Sequence, residues 1–156
     1  MDGHLLKAMW ATALWGGTGG AGPAFVITSD LGRGVGKSRL AALTGYLVGG
    51  SLDFSAKEDI ATIKQRLLSP DALTHRVAFL DNVKSLRFSW AELGALVTSV
   101  EISGKRMFVG EVQRPNTFTW FGTLNGASLS TDMAQRCVII KLGRPEYSGT
   151  FFGDRC

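Results

Sequence analysis

The segment at residues 24–40 restricts the fold more than any other, because it joins an apolar run, a glycine-rich loop and an amphipathic helix. The run AFVIT at 24–28 has strand length and is typical of strands buried on both faces of a parallel sheet. Three glycines fall within the loop at 29–36. From Leu40 onward, leucines recur at the i, i+3, i+7 spacing of one helical face. The segment predicts a strand–loop–helix unit of an α/β protein.

Strands and helices alternate along the rest of the chain. Further strands are predicted at 51–54, 76–80, 117–124 and 137–142, with a β-hairpin or loop over 100–116. Further helices are predicted at 2–15, from Ser55 to about Leu68, from Ser89 to about Ser99, and at 130–136 after Ser130 as a cap. Glu58 and Glu92 stand three positions after Ser55 and Ser89, the spacing of a capping box. This alternation predicts a mainly parallel sheet with right-handed crossovers.

Composition excludes several classes of protein. The chain has 156 residues, enough for one domain, and its 45% apolar and 19% charged residues exclude a disordered tail. No run of 18 apolar residues occurs, so we expect no membrane-spanning segment. The net charge of +4 permits a polyanionic partner without requiring one. Cys137 and Cys156 lie far apart, which excludes a disulfide framework, and no secretory signal is recognisable; we therefore expect a reducing, cytoplasmic compartment.

The end of the glycine-rich loop matches the P-loop motif G-x-x-x-x-G-K-[ST]. In such a loop backbone N–H groups cradle phosphate oxygens, the lysine reaches the β- and γ-phosphates, and the hydroxyl ligates Mg²⁺. Leu31 stands where the motif has its first glycine. The triplet GKS is weak by itself, but its place between a strand and a helix favours a nucleotide site over an incidental glycine turn. The predicted nucleotide-binding residues are Gly32, Arg33, Gly34, Val35, Gly36, Lys37, Ser38 and Arg39.

A carboxylate ends the second apolar run, VAFL. Asp81 at this place has the Walker B pattern, in which the aspartate holds Mg²⁺, so Ser38 and Asp81 are the predicted metal residues. The next residue is Asn82, where many P-loop ATPases have a glutamate that orients water. Either Glu111 or Glu101 supplies that group, or hydrolysis is slow.

The order of these motifs resembles that of AAA+ ATPases over roughly residues 20–142. More narrowly, it is similar to superfamily 3 helicases and to the helicase parts of phage- and plasmid-encoded primase-helicases. The sequence TLN ending at Asn125 matches the family's motif C, and Arg136 falls where these proteins carry an arginine finger. The B′ motif of the family is resembled by Leu96-Val97-Thr98, Ile102-Ser103-Gly104-Lys105-Arg106 and Arg114-Pro115-Asn116. Without the resemblance, Asn125 is best explained as a turn residue and Arg136 as a cationic helix C-terminus.

The resemblance implies a P-loop NTPase of the AAA+ (ASCE) type, a three-layer sandwich that binds ATP and Mg²⁺. It implies that Lys37 and Asp81 act in catalysis, that Asn125 contacts the γ-phosphate and the attacking water, and that Arg136 acts on the ATP of a neighbouring subunit in a hexamer. It also implies a hairpin that faces the channel of the ring. There Lys105 and Arg106 either contact single-stranded or forked DNA or are ordinary solvated charges, and Phe108 either stacks on a base or belongs to a strand core.

Three parts are expected: an N-terminal helix and linker at 1–22, the ATPase core at 23–142, and an irregular tail at 143–156 that lacks the helical lid of the family. The first hypothesis is an oligomeric, helicase-like DNA-dependent ATPase in the DNA replication of a phage or mobile element. A second is a non-motor switch or loader that binds ATP with little hydrolysis, which Asn82 and the missing lid favour. A third is a small-molecule P-loop kinase, in which Asn125 and Arg136 would have no role.

Overall fold

The computed structural model describes residues 3–16, 22–31, 34–55, 57–83, 89–106, 108–125 and 129–143, and these form five α-helices and seven strands. The helices are α1 (Gly3–Trp15), α2 (Lys37–Leu47), α3 (Ile60–Leu67), α4 (Trp90–Thr98) and α5 (Thr131–Arg136). The strands are β1 (Ala24–Thr28), β2 (Ser51–Phe54), β3 (Val77–Leu80), β4 (Glu101–Arg106), β5 (Gly110–Pro115), β6 (Thr119–Thr123) and β7 (Cys137–Lys141). A short 3-10 turn, Asp71–Thr74, precedes β3.

Five of the strands form one parallel sheet in the order β2-β3-β6-β1-β7. The other two, β4 and β5, pair as a separate antiparallel hairpin. The prediction of an α/β chain with a mainly parallel sheet is therefore confirmed, and so is the hairpin at 100–116.

Helices cover both faces of the sheet, because successive residues of a buried strand point to opposite sides. On one side Phe25 and Ile27 of β1 pack with buried residues of α1 and α2. On the other side Ala24 and Val26 pack with buried residues of α3, α4 and α5. The described residues thus form three layers, helices–sheet–helices.

One predicted helix start is wrong. Helix α3 begins at Ile60 rather than after Ser55, because Asp59 serves as its N-cap and accepts a 2.7 Å hydrogen bond from the Thr62 N–H. Glu58 still accepts from the Ser55 N–H, but its carboxylate also forms a 2.8 Å ion pair with Arg66.

The other two predicted caps are confirmed. Ser89 and Glu92 form the reciprocal capping box at the start of α4. At the start of α5, Ser130 accepts a 3.3 Å hydrogen bond from the Met133 N–H. Residues 144–156, on which the predictions of an irregular tail and a missing lid depend, lie outside the described residues.

Candidate functional site

The polar residues singled out in the sequence gather at the carboxyl edge of the sheet. The loop at 29–36 follows β1, Asp81 follows β3, and Asn125 lies two residues after β6. These three strands are adjacent, in the order β3-β6-β1. The position of β1 between β6 and β7 makes this edge a topological switch point, where open parallel sheets bind their ligands.

The start of α2 has the form of an anion site. Gly34 and Gly36 have φ angles of +83° and +87°, a left-handed conformation that glycine adopts without strain, and a Cβ at either position would have no described atom within 4 Å. Helix α2 has no side-chain cap and no acidic residue in its first turn. The dipole of α2 therefore favours negative charge at this end of the helix.

Lys37 is the first residue of α2, and only 5% of it is exposed. Val35 is half-buried, and Arg39 is exposed on the first turn of the helix. The predicted ligands Gly32 and Arg33 lie outside the described residues. The part of the predicted phosphate loop that the structure describes is therefore placed at one helix N-terminus.

Ser38 and Asp81 meet through a hydrogen bond. The Ser38 hydroxyl donates to Oδ1 of Asp81 at 2.8 Å. A second hydroxyl, that of Thr123 at the end of β6, donates to the same Oδ1 at 2.5 Å. Thr123 is 1% exposed, and its oxygen also accepts the Asn82 N–H at 2.9 Å. Two hydroxyls therefore hold one carboxylate at the edge of the sheet.

Asn82 and Asn125 extend this network. The Asn125 side-chain amide donates to Oδ1 of Asn82 over 3.5 Å, a long contact. Asn82 itself has a φ of +55°, a left-handed conformation that asparagine tolerates better than most residues. The structure thus places the predicted sensor residue Asn125 in the same network as Asp81.

The donor set fits Mg²⁺. This ion prefers hard oxygen ligands and takes one or two from protein beside those of phosphates and water. Ser38 supplies a hydroxyl oxygen and Asp81 a carboxylate, and a 2.8 Å hydrogen bond from the hydroxyl to Oδ1 holds the two side chains together beside the start of α2. Within the described residues, no group of three or more His, Cys, Asp or Glu side chains could hold a metal ion.

Ser29 was missed in the sequence and shapes the start of the loop. It is 3% exposed, donates a 2.8 Å hydrogen bond to the Leu142 carbonyl and accepts the Leu31 N–H at 3.2 Å. The first bond ties the start of the loop to the residue that follows β7, and the second lies within the loop. Its only signal in the sequence is a small polar residue directly after an apolar strand.

Arg136 does not join this site. It precedes Cys137, which pairs with Ala24 at the amino end of β1, and the glycine-rich loop follows the opposite end of that strand. The length of β1, four residue steps, separates the two ends by roughly 13 Å. The Arg136 guanidinium bonds instead to Asp132 at 3.1 Å and to the Thr98 hydroxyl at 3.0 Å.

The hairpin residues Lys105 and Arg106 face opposite sides. Lys105 is exposed and pairs with Glu111 across the hairpin, whereas Arg106 is half-buried. The outward face carries Glu101, Ser103 and Lys105 on β4 and Glu111 and Gln113 on β5, so it holds two acidic groups and one basic group. This face is not a basic stripe. Phe108 lies in the turn and is 100% exposed, so its interpretation as strand core is wrong.

Glu101 and Glu111 are not brought to Asp81. Both belong to the hairpin, whose base is closed by a 2.8 Å bond from the Asn116 N–H to the Val100 carbonyl, and the chain then enters β6 at Thr119, at the amino end of that strand. Asp81 lies at the carboxyl edge. The structure therefore does not support either glutamate as the group that activates water in its own subunit.

No protein-family model matches the chain, and a comparison with curated proteins gives no match. None of the helices in the described part combines the length and apolar character that crossing a bilayer requires.

Proposed function

We propose that the chain binds Mg²⁺–ATP at the carboxyl edge of its sheet and hydrolyses it as an oligomeric, DNA-dependent ATPase of the AAA+ type. The observation that carries the proposal is the Ser38–Asp81 hydrogen bond beside the uncapped start of α2. It joins the end of a P-loop motif to the carboxylate after β3, a pairing that a metal–nucleotide site needs and an incidental glycine turn does not.

The residues of the site would act by positioning and by charge. N–H groups of the loop and of the first turn of α2, with Lys37, would bind the phosphates. Ser38 and Asp81 would hold Mg²⁺, which neutralises charge on the β- and γ-phosphates. Asn125, at the far end of the network, would orient the attacking water. These residues contribute little covalent chemistry, because phosphoryl transfer is catalysed mainly by positioning and electrostatic stabilisation.

The place of Arg136 favours action between subunits. It lies at the amino edge of the sheet, about one strand length from the phosphate loop of its own chain. A head-to-tail ring would bring the amino edge of one copy to the carboxyl edge of the next. Arg136 would then stabilise charge on the neighbour's γ-phosphate, as arginine fingers supplied in trans do.

DNA contact would centre on the turn of the hairpin rather than on its outward strand face. The turn presents Phe108, fully exposed, beside Val109, which is 58% exposed. An exposed aromatic ring can stack on an unpaired base, and Lys105 and Arg106 flank the turn on one strand. The Lys105→Ala variant should weaken single-strand binding and reduce its salt dependence, whereas Lys7→Ala, an exposed lysine on α1, should do neither.

Nucleotide binding and turnover of the purified chain test the proposal. We expect Mg²⁺-dependent ATP binding that Lys37→Ala abolishes and Lys7→Ala preserves. We expect hydrolysis per subunit to rise with protein concentration and with single-stranded DNA. Absence of ATP binding in the wild-type chain, with its folding verified by circular dichroism, would overturn the proposal.

A mixing experiment tests the role of Arg136 separately. Lys37→Ala has an intact arginine but an impaired site, and Arg136→Ala has an intact site but no arginine. If Arg136 acts in trans, each variant alone is inactive and an equal mixture regains part of the activity. No recovery in mixtures that still assemble, as measured by light scattering, would contradict action in trans.

Asn82 favours a second candidate, a switch that binds ATP with little hydrolysis. An amide cannot accept the proton of an attacking water, and Glu101 and Glu111 lie on the hairpin. Tight Mg²⁺–ATP binding combined with background turnover, at every protein and DNA concentration, would favour the switch over the motor.

A further inference from the structure

We infer that Thr123 is a positioning residue that sets the Asp81 carboxylate for a divalent cation bound with nucleotide. This inference rests on the proposed nucleotide site and adds to it a residue that contacts neither nucleotide nor metal. Thr123 ends β6, the strand between β1 and β3, and so lies between the loop and the carboxylate.

The direction of the hydrogen bonds at Thr123 is fixed by the groups around it. The Asn82 backbone N–H can only donate, and it donates to Oγ1 of Thr123 at 2.9 Å. A threonine hydroxyl has one proton, and Oδ1 of Asp81 lies 2.5 Å from the same oxygen. The hydroxyl proton is therefore directed at the carboxylate, which receives a charge-assisted hydrogen bond.

Burial keeps this arrangement in place. Thr123 is 1% exposed, so water does not compete for its hydroxyl, and a β-branched side chain has few rotamers within a strand. Asp81, by contrast, is exposed and follows the strand as part of a loop. The buried residue therefore orients the exposed carboxylate.

The Ser38 hydroxyl, which also donates to Oδ1 of Asp81, has a different role. Ser38 donates its proton to Asp81 at 2.8 Å, which leaves the lone pairs of its oxygen for a cation. Thr123 donates its proton to Asp81 and accepts the Asn82 N–H with one of its two lone pairs, and because it is 1% exposed its oxygen is not open to a cation at the surface. Both bonds reach Oδ1, which leaves Oδ2 as the carboxylate oxygen that would be offered to a cation. Residues that orient ligands in this way strongly influence metal affinity.

The test measures ADP binding by calorimetry on the full chain, once with excess Mg²⁺ and once with EDTA. The quantity compared is the dissociation constant of ADP in EDTA divided by its dissociation constant in Mg²⁺. This ratio reports how much the metal strengthens ADP binding, without any turnover. Thr123→Val removes the hydroxyl at nearly constant shape, and Thr123→Ser keeps it. Thr119→Val is the matched control, because Thr119 is 6% exposed at the other end of the same strand.

We expect Thr123→Val to lower the ratio by roughly tenfold to a hundredfold, with ADP affinity in EDTA unchanged. Thr123→Ser and Thr119→Val should keep the wild-type ratio. Should Thr123→Val fail to fold by circular dichroism, Thr123→Ala against Thr123→Ser provides the same comparison.

Two outcomes would overturn the inference, and they differ. If wild-type chain binds ADP more tightly with Mg²⁺ and Thr123→Val keeps that ratio, Thr123 does not position Asp81, while the proposed nucleotide site stands. If the folded wild-type chain shows no ADP binding or no effect of Mg²⁺, the proposed site fails and the inference fails with it.

Discussion

The Ser38 hydroxyl and the Asp81 carboxylate are joined by a 2.8 Å hydrogen bond although 43 positions separate them in the sequence. The strands that precede them are not neighbours, since β6 lies between β1 and β3. The ends of β1 and β3 are therefore two strand spacings apart, roughly 10 Å. The segments that follow these strands bring the two side chains together across that distance. The hydrogen bond makes one site of the glycine-rich loop and the carboxylate.

Replacing Asp81 by asparagine should separate metal binding from phosphate binding. Asp81→Asn keeps the shape of the side chain but removes its charge, so Mg²⁺ affinity in the presence of ADP should fall by about tenfold or more. ADP affinity in EDTA should stay the same or rise slightly, because a negative charge near the phosphates is lost. Calorimetry in the two buffers measures both values. An equal loss of affinity in both would place Asp81 in phosphate binding or folding instead.

The Asn82→Asp substitution should increase turnover. Aspartate has the shape of asparagine, tolerates the φ of +55°, and can accept both the Asn125 amide and a proton from water. A well-placed general base contributes roughly 10²- to 10⁴-fold, so even imperfect placement should raise the steady-state rate by about tenfold. Asn82→Ala is the control, which should give no increase. An unchanged rate in Asn82→Asp, with ATP binding intact, would mean that water activation does not limit hydrolysis.

Asn116 should be important for stability. It is 2% exposed, and its side-chain amide donates to the Leu96 and Ser99 carbonyls at 3.1 and 2.9 Å, where α4 ends. Asn116→Ala would remove the donor to the Ser99 carbonyl and leave the buried Trp120 indole N–H without its 3.4 Å acceptor, whereas the Leu96 carbonyl would keep the Ser99 hydroxyl at 2.8 Å. The free energy of unfolding should therefore fall by about 1–3 kcal/mol. Urea denaturation measures the change. Gln113→Ala, an exposed amide on the hairpin, is the control and should have little effect.

The capping box at α4 should contribute to the acid sensitivity of the fold. Hydrogen bonds from the Ser89 backbone N–H, and then from its hydroxyl, lower the pKa of Glu92 below its ordinary value of 4.5. A lowered pKa stabilises the folded state above the ordinary value, and this stabilisation is lost as the pH falls through the lowered value. Glu92→Gln keeps a capping amide but does not titrate.

Urea denaturation of wild type and Glu92→Gln over a pH series measures this contribution. The wild-type chain should be the more stable at neutral pH, and the difference should shrink as the pH falls below 4.5, the ordinary pKa of a glutamate, and through the lowered pKa of Glu92. A difference that stays constant across the series would mean that the charge of Glu92 does not contribute.

Much of the fold followed from local patterns. The apolar runs predicted strands close to their observed limits, and the caps at Ser89 and Ser130 were confirmed, because strand period and capping depend on residues only a few positions apart. The start of α3 was wrong for a related reason: Ser55 and Asp59 both offer cap oxygens, and the sequence does not rank them.

The placement of Lys105 and Arg106 on opposite faces of the hairpin could have been predicted from the sequence but was missed. Alternate residues of a strand point to opposite sides, so Lys105 and Arg106 could not both face one partner surface of a flat strand. The full exposure of Phe108 was harder to predict from the sequence, because it depends on which residues form the turn of the hairpin.

The sequence by itself determined the order of strands and helices, the glycine-rich loop before α2 and the carboxylate after β3, because each depends on neighbouring residues. Only the tertiary structure decided the strand order, and with it the meeting of Ser38, Asp81 and Thr123 and the separation of Arg136 from them. Which strands pair is a long-range choice made by packing of the whole core, and no local pattern records it.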